Sequence, residues 1–251
     1  MKPIAQIKEE YDRTEFAGLA SFIELYRDDT RGGVQRLVKS ARKQIDERIA
    51  EEERTERMYT FERQYASFSA ICGIDEVGRG PLAGPVVAGA VILPKDHPIL
   101  YLNDSKKLSE KKREELSEVI FREAVAVGIG IVDHKRIDEI NILQATYEAM
   151  RQAVTKLAVS PDILLNDAVT IPGLSMKQVP IIKGDAKSAS IAAASIVAKV
   201  TRDRMMVEYD TIYPGYDLAG NKGYGSAAHI AAIKRLGPSP IHRRSFISNF
   251  L

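Results

Sequence analysis

The sequence contains very little cysteine, no apolar run of membrane-spanning length and almost no excess of either charge. Its single cysteine, Cys72, lies in an apolar stretch, which excludes a disulfide within the chain and indicates a reducing compartment. The N-terminal segment lacks the apolar core of a signal peptide, so we expect a cytoplasmic protein that does not associate with membranes. A net charge of +2 identifies no class of partner by itself.

What is present is ordinary for a soluble globular protein of one large or two unequal domains: 251 residues, 45% apolar and 28% charged. Residues 1–66 predict a helical N-terminal extension. The turn at 28–33 separates two helical stretches, and the second of them carries apolar residues at helical spacing from Val34 to Ile49. We therefore predict two domains, at residues 1–66 and 67–251.

From residue 69 onward, strand patterns alternate with helix patterns. The strands are predicted near residues 70–76, 85–93, 125–132, 163–165 and 179–182. The helices are predicted from Ser109, which is a suitable N-cap, and near residues 141–157, 188–213 and 226–236. This order predicts an α/β domain with a mixed sheet flanked by helices.

Two acids, Asp75 and Glu76, end the first apolar run, and a Gly78-Arg79-Gly80 turn follows them. Carboxylates at the end of a buried strand are costly unless something compensates their charge. Mg²⁺ commonly compensates such carboxylates together with substrate phosphates. The glycines leave the backbone open to close approach by a ligand. The pattern favours a metal-assisted site for a phosphodiester over its main alternative, a glycine turn with solvated acids.

The same turn also matches the dinucleotide-binding pattern, because Gly78 and Gly80 are followed by Ala83 at the required spacing. That pattern must open a helix whose N-terminus receives the pyrophosphate. Here Pro85 and a valine-rich run predict a second strand instead. The sequence therefore argues against a nucleotide-cofactor fold.

Two further acids, Asp167 and Asp185, each follow an apolar strand-like run. Strands that end at one edge of a sheet bring their last residues together, at the edge where α/β sheets bind ligands. Two carboxylates about 4 Å apart repel by roughly 4 kcal/mol at an effective dielectric constant near 20. A cluster of all four acids would therefore need metal ions or protonation, and two Mg²⁺ ions would cancel the four charges. The alternative that either later aspartate only caps a turn stays open.

Adjacent residues of a regular strand point to opposite faces, which complicates a shared role for Asp75 and Glu76. Both serve one site only if the strand ends there, or if Glu76 contributes its backbone carbonyl as well as, or instead of, its side chain.

Several segments together resemble the ribonuclease HII (type 2 ribonuclease H) family. The similar segments are residues 73–88, 103–109, 183–188, 193–203, 221–225 and 242–246. They occur in the family's order and span about residues 70–247, whereas residues 1–66 lie outside the shared core. The resemblance implies a ribonuclease H-like fold. It also implies an endonuclease that hydrolyses the RNA strand of RNA–DNA hybrids and cleaves 5′ of ribonucleotides embedded in duplex DNA, as in ribonucleotide removal during DNA repair and replication. The products implied are 3′-hydroxyl and 5′-phosphate ends.

The resemblance also assigns roles to individual residues. The catalytic and metal-binding acids it implies, with two Mg²⁺ or Mn²⁺ ions, are Asp75, Glu76, Asp167 and Asp185. It places recognition of the ribose 2′-hydroxyl on Gly78, Arg79 and Gly80, and reading of the RNA–DNA junction on Tyr224. From their position before a helix, we expect Lys106 and Lys107 to contact backbone phosphates. The partner is nucleic acid, and a monomer is expected.

Three other residues remain after these assignments. Asp203 lies between Arg202 and Arg204 in a predicted helix, and we interpret it as part of a structural ion pair. His229 and His242 lack metal-ligand spacing, so we interpret them as phosphate contacts or structural residues.

Two rival functions remain open. A non-catalytic module that binds RNA–DNA hybrids would not need four converging acids, and a structural or partner-binding protein would leave the glycine-arginine-glycine turn unexplained.

Overall fold

The computed structural model describes residues 1–250, with the side chain of Phe250 excepted. The chain divides into two compact units, the first from Met1 to Glu56 and the second beginning at Arg57. The boundary that the sequence predicts after residue 66 remains a prediction. Within the described residues, no helix is both long and apolar enough to cross a membrane.

The first unit is helical, as the sequence predicts. It contains α1 (Ile4–Arg13), a short 3-10 helix (Phe16–Gly18), α2 (Leu19–Tyr26) and most of α3 (Gly32–Met58). The predicted break is confirmed, because α2 ends at Tyr26 and α3 begins at Gly32. One apolar cluster forms the core of this unit: Ile7, Leu19, Phe22, Tyr26, Val34, Val38 and Ala41.

The second unit is built on a five-stranded mixed sheet, which confirms the predicted fold class. Its strands are β1 (Ile71–Val77), β2 (Val86–Ile92), β3 (Ala126–Val132), β4 (Ile163–Asp167) and β5 (Lys177–Ile181). The spatial order is β3-β2-β1-β4-β5. Strands β1, β2 and β3 pair antiparallel, whereas β4 runs parallel to both β1 and β5. The parallel part of the sheet therefore brings the ends of β1, β4 and β5 to one edge.

Helices cover both faces of this sheet. The α-helices that lie wholly in this unit are α4 (Thr60–Gln64), α5 (Glu110–Glu123), α6 (His134–Thr155), α7 (Ala189–Ile212), α8 (Leu218–Asn221), α9 (Ala227–Leu236) and α10 (Arg244–Ile247). Ser109 is confirmed as the N-cap of α5, since its hydroxyl accepts a hydrogen bond from the Lys112 amide. Helix α6 begins earlier than the sequence predicts because Asp133 caps an additional N-terminal stretch. Asn141 interrupts α6 with a φ of 66°, close to the predicted start.

Helix α7 packs directly on β1 and β2, and two glycines make this close approach possible. A Cβ atom on Gly73 would lie 2.0 Å from the carbonyl carbon of Ser190, and one on Gly89 would lie 2.4 Å from the Ala194 carbonyl oxygen. The alanines at 192–194 are fully buried at this contact, where their small side chains allow the helix to pack closely on the sheet. The packing fixes the side chains of α7 relative to the acids on β1.

The N-terminus of α7 is held by a carboxylate from α4. Glu62 Oε1 accepts hydrogen bonds from the Ser188 hydroxyl at 2.6 Å, and from the Ser190 amide and hydroxyl at 2.9 and 2.7 Å. A carboxylate in this position satisfies a free helix amide and interacts favourably with the helix dipole. A truncation that isolates the second unit should therefore retain Glu62.

Candidate active site

Three of the four predicted acids lie at the edge where the parallel strands end. Asp75 is a buried residue of β1, and Asp167 is the last residue of β4. Since Ile74 pairs with Asn166, Asp75 and Asp167 follow at the same level on neighbouring strands. Asp185 lies in a short 3-10 helix after β5, and Asp167 Oδ1 accepts a hydrogen bond from the Gly184 amide beside it at 2.7 Å. The fold thus brings acids that are 110 residues apart in sequence into one group.

The crowding of these carboxylates changes their acidity. Burial raises the pKa of Asp75 well above its ordinary value, and the charges of Glu76 and Asp167 act in the same direction. Burial also raises the pKa of Glu76, with Arg79 opposing the shift and Asp167 adding to it. Burial again comes first for Asp185, whose pKa is raised further by neighbouring carboxylates. The shifts therefore show that these carboxylates repel one another at the edge of the sheet.

Glu76 occupies a different position from the other acids. Strand β1 continues to Val77, so the alternation of the strand directs Asp75 and Glu76 to opposite faces. The face of Asp75 is that of α7, where Ser195 hydrogen-bonds to its carboxylate. Glu76 instead forms an ion pair of 3.3 Å with Arg79. Among residues 1–250, no three histidine, cysteine, aspartate or glutamate side chains are arranged closely enough to hold a metal ion.

The donor chemistry of the group nevertheless fits a hard divalent cation. All four side chains are carboxylates, which are ligands that Mg²⁺ and Mn²⁺ accept readily. Burial and mutual repulsion raise the pKa values of Asp75, Glu76 and Asp185, and a bound cation would relieve the repulsion.

A fifth acid, Asp104, belongs to the same neighbourhood, although no role was assigned to it from the sequence. Its charge is the largest electrostatic contribution, after burial, to the raised pKa of Asp185. Asp104 also caps the short 3-10 helix Ser105–Lys107 by accepting a hydrogen bond from the Lys106 amide. The Ser105 hydroxyl lies 2.9 Å from that of Ser195, which connects this segment to α7.

The two predicted phosphate-binding lysines lie on that 3-10 helix. Burial acts to lower the pKa of Lys106, but the carboxylates of Asp104, Asp75 and Asp185 outweigh it and raise the pKa. Lys106 is therefore a cation beside the acid group. Lys107 is exposed on the same short helix.

The glycine-arginine-glycine turn rests on two buried arginines that the sequence analysis did not identify as part of the site. Gly78 has a φ of +90°, and a Cβ atom there would lie 2.3 Å from Arg202 Nε. Arg243 donates hydrogen bonds to the carbonyls of Gly78, Arg79 and Gly84, and Arg202 donates to those of Ala83, Pro85 and Lys222. Burial lowers the pKa of Arg202 to about 10 and that of Arg243 to about 9.

Tyr224 lies beside this turn. A Cβ atom on Gly80 would be 3.9 Å from Tyr224 Cε1, and the tyrosine is 44% exposed. The backbone of the two segments is joined by a hydrogen bond from the Leu82 amide to the Gly223 carbonyl at 2.8 Å. An exposed aromatic ring therefore stands next to bare backbone, and the carboxylate group lies at the other end of the turn.

Comparison with known proteins identifies the family. The family model for ribonuclease HII matches residues 72–249, and the model for the ribonuclease HII N-terminal domain matches residues 3–66. The chain belongs to the ribonuclease HII family. It is 61% identical over 246 residues to the ribonuclease HII of Lachnoclostridium phytofermentans, covering 98% of this chain and 97% of the relative. It is 52% identical over 252 residues to that of Clostridioides difficile, covering 100% and 99%.

The fold agrees with this membership. The crystal structure of ribonuclease H2 from Pyrococcus horikoshii superposes with a TM-score of 0.59 at 27% identity, covering 72% of this chain and 98% of that one. The sequence resemblance to ribonuclease HII is thus confirmed, and the chain is a ribonuclease H endonuclease.

The predicted ion pair of Asp203 exists in this family member, but with a different partner from its neighbours in sequence. Both carboxylate oxygens of Asp203 lie 2.6 Å from Lys199 Nζ, one helical turn earlier. Arg202 points to backbone carbonyls instead, and Arg204 pairs with Glu114. Residues four apart are neighbours on the surface of a helix, whereas adjacent residues are not, so the spacing of Lys199 and Asp203 indicates this pair.

We expect Arg243→Met to lower the free energy of unfolding by about 3 kcal/mol, because it leaves buried carbonyls without their charged donor. Arg243 is fully buried, and its guanidinium spans the turn that carries Gly78 and Arg79. Urea denaturation measures the change. Arg244→Met is the matched control, since the Arg244 side chain is exposed and its loss should change stability by less than about 0.5 kcal/mol. Equal losses in the two variants would contradict this account of Arg243.

His229 and His242 are buried rather than exposed to a ligand, which favours the structural alternative over a phosphate contact. Their ring Nε2 atoms lie 3.0 Å apart. Burial, followed by the neighbouring His229, lowers the pKa of His242 from 6.5 to about 4. Between these two values the unfolded chain binds a proton that the folded protein does not bind.

Stability should consequently fall as the pH is lowered from 6.5 towards 4. Protonation of His242 in the unfolded chain should lower the free energy of unfolding by about 2 kcal/mol at pH 5, relative to a pH at which the residue is neutral in both states. Because carboxylates titrate in the same range, the informative quantity is the difference in unfolding free energy between the unmodified protein and His242→Asn, measured from pH 7 to 4.5. The account expects this difference to shrink as the pH falls, and a constant difference would contradict it.

Proposed function

We propose that this ribonuclease H endonuclease is metal-dependent and cleaves both the RNA strand of RNA–DNA hybrids and the position 5′ of ribonucleotides embedded in duplex DNA. The products are 3′-hydroxyl and 5′-phosphate ends. One observation supports this proposal above the others. Buried, mutually repelling carboxylates lie at one sheet edge, beside a turn of bare backbone and an exposed tyrosine ring.

The proposed metal ligands are the side chains of Asp75, Asp167 and Asp185 together with Glu76, which would contribute its backbone carbonyl because its side chain lies on the other face of β1. These groups would hold two Mg²⁺ or Mn²⁺ ions. When bound, such ions lower the pKa of an attacking water and stabilise the leaving oxygen of a phosphodiester. Membership of the family supports a divalent cofactor, and the charge balance of the site does so independently.

The remaining side chains of the site have complementary tasks in this proposal. Lys106, beside the carboxylates, meets a substrate phosphate, and Lys107 meets the backbone further along. The Gly78–Gly80 turn brings backbone groups against the ribose 2′-hydroxyl, the group that distinguishes RNA from DNA. Tyr224 stacks on the sugar or base at the RNA–DNA junction.

The buried guanidiniums of Arg202 and Arg243 hold the turn in shape without touching the substrate. Preorganised backbone of this kind does not have to be ordered again when the substrate binds. Their charge also lies beneath the surface on which we expect the phosphates to lie.

The partner in this proposal is nucleic acid, the working form is a monomer, and the compartment is the cytoplasm. The biological role is removal of ribonucleotides during DNA replication and repair. A non-catalytic hybrid-binding module is a poorer match, because it would gain nothing from repelling carboxylates buried at the edge of the sheet.

The test is cleavage of a duplex that carries one ribonucleotide, assayed with Mg²⁺, with Mn²⁺, and with a chelator and no added metal. An all-DNA duplex of the same sequence is the control substrate. We expect cleavage with either metal, none with the chelator, and none of the control duplex. Cleavage that survives chelation would exclude the metal-dependent mechanism, and equal cleavage of the control would exclude ribonucleotide recognition.

A further inference from the structure

A chain of buried hydrogen bonds leads from the backbone of Tyr224 into the interior. His229 Nδ1 lies 2.8 Å from the Tyr224 carbonyl oxygen, and His229 Nε2 lies 3.0 Å from His242 Nε2. His242 Nδ1 in turn lies 3.0 Å from the Ser239 amide nitrogen and 2.7 Å from the Ser239 hydroxyl. The two imidazoles are 0% and 1% exposed, so water does not compete for these contacts.

The fixed donors and acceptors at the two ends determine the direction of this chain. The Ser239 amide can only donate, so His242 Nδ1 accepts and the proton of His242 is on Nε2. His229 Nε2 must then accept from His242, which places the proton of His229 on Nδ1. His229 Nδ1 therefore donates to the Tyr224 carbonyl, which can only accept. Both rings are neutral in this arrangement, and every ring nitrogen has a partner.

The same histidines belong to the framework of the glycine-arginine-glycine turn. His242 pairs with Ala83 in an isolated β-bridge, and the Arg243 amide donates to the Leu82 carbonyl. The Leu82 amide donates in turn to the Gly223 carbonyl, one residue before Tyr224. The Tyr224 segment is thus tied to the turn through the backbone, through the histidine pair and, at Lys222, through the Arg202 guanidinium.

The Tyr224 segment depends on such ties because its backbone follows no regular element. Lys222 and Gly223 have positive φ values of 51° and 84°. The Tyr224 amide donates to the Asn221 carbonyl, and the Tyr224 carbonyl accepts from the Ser226 amide. Among the described residues, His229 supplies the one side-chain hydrogen bond to the Tyr224 backbone itself, whereas the preceding Gly223 amide donates to Asn221 Oδ1. The ring itself is 44% exposed and lies beside Gly80.

We propose that His229 and His242 are positioning residues that fix the Tyr224 ring over the Gly78–Gly80 turn and thereby favour cleavage at a single embedded ribonucleotide. This inference rests on the proposed function, in which Tyr224 reads the junction. A long hybrid has ribose at many positions, so a displaced Tyr224 ring should reduce its rate of cleavage less. A single embedded ribonucleotide can be cleaved in only one register, and that register depends on the position of the ring.

Substitution of His229 by asparagine or by glutamine separates the roles of its two ring nitrogens. An asparagine amide reaches the position of Nδ1 and keeps a donor for the Tyr224 carbonyl, whereas a glutamine amide reaches the position of Nε2 and loses it. The experiment is single-turnover cleavage of two duplexes, one with a single ribonucleotide and one with several. The readout is the ratio of the first rate to the second. His229→Gln should lower the ratio about five- to tenfold, the effect of one hydrogen bond, and His229→Asn about twofold or less.

Combination with Tyr224→Ala separates positioning from general stability. If the histidines act through Tyr224, His229→Gln should not lower the ratio further in a Tyr224→Ala background. An equal loss on both substrates would overturn the inference, since the histidine pair would then serve only stability. The inference would also fail if the effects of His229→Gln and Tyr224→Ala on the ratio were fully additive in the double variant. If His229→Gln does not fold, His242→Asn carries the same test, because its amide oxygen still accepts from Ser239.

The experiment also distinguishes failure of the inference from failure of the proposed function. A Tyr224→Ala variant with an unchanged ratio would remove junction reading by Tyr224, and the inference would fall with it. A lowered ratio in Tyr224→Ala together with an unchanged ratio in His229→Gln would overturn the inference alone.

Discussion

Asp75→Asn, Asp167→Asn and Asp185→Asn are each expected to reduce cleavage by on the order of a thousandfold, with the fold retained. Each substitution removes the negative charge from one proposed metal ligand, yet keeps the size of the side chain and one acceptor. For Asp75 the acceptor matters, because Oδ1 accepts from the Glu76 amide at 2.8 Å. The rates are measured under single-turnover conditions with saturating Mg²⁺.

Thermal melts without metal are the companion measurement to these rates. Removing one charge from a crowded, buried group relieves repulsion, so the metal-free variants should melt at the same temperature as the unmodified protein or higher. Asp96→Asn, at an exposed aspartate, is the matched control and should change neither quantity. Near-normal turnover in any one of the three variants would remove that residue from the site, and a large loss of stability would show that the charge is structurally required.

Tyr224→Ala is expected to slow cleavage at a single embedded ribonucleotide by about one to two orders of magnitude, because a stacking aromatic contributes roughly 1–3 kcal/mol. Overall affinity for the duplex should fall much less, since phosphate contacts supply sequence-independent binding that weakens with salt. We assign those contacts to Lys106 and Lys107, which lie on the short 3-10 helix Ser105–Lys107. Cleavage of duplexes with one and with several ribonucleotides, beside binding at two salt concentrations, measures both effects.

Tyr224→Phe is the control for this prediction, as it keeps the ring and removes only the hydroxyl. It should lose far less activity than Tyr224→Ala. Losses that are equal on both substrates, and matched by an equal loss of binding, would make Tyr224 a general contact rather than the reader of the junction.

The sequence predicted the strands and the edge at which the acids meet because both depend on local pattern. An apolar run that ends in an acid occurs at Asp75, at Asp167 and, one short loop later, at Asp185. Chain topology then requires only that these strands be neighbours, and the parallel pairing of β1 with β4 and of β4 with β5 provides this. The proposed roles of these residues remain predictions until the variants are measured.

The supporting residues could not be predicted in the same way, because their contacts join distant segments through backbone atoms. Arg243 donates to carbonyls more than 150 residues earlier in the chain, and a carbonyl has no signature in sequence. Glu62 and Asp104 resemble any solvated acid until the N-terminus of α7 and the Asp185 carboxylate are placed beside them. The pairing of His229 with His242 depends on α9 and the C-terminal segment meeting, which no periodicity indicates.

The most direct test of the account is to identify the ends that cleavage leaves on a duplex with one ribonucleotide, resolved to the single nucleotide. In the proposed function the attacking group is water and the Gly78–Gly80 turn only recognises the 2′-hydroxyl, with the cut placed on the 5′ side of the ribonucleotide. The products would be a DNA 3′-hydroxyl and a 5′-phosphate on the ribonucleotide. A cut on the 3′ side that leaves a 2′,3′-cyclic phosphate would show that the 2′-hydroxyl is itself the nucleophile, and would contradict the role assigned here to the carboxylates and to the turn.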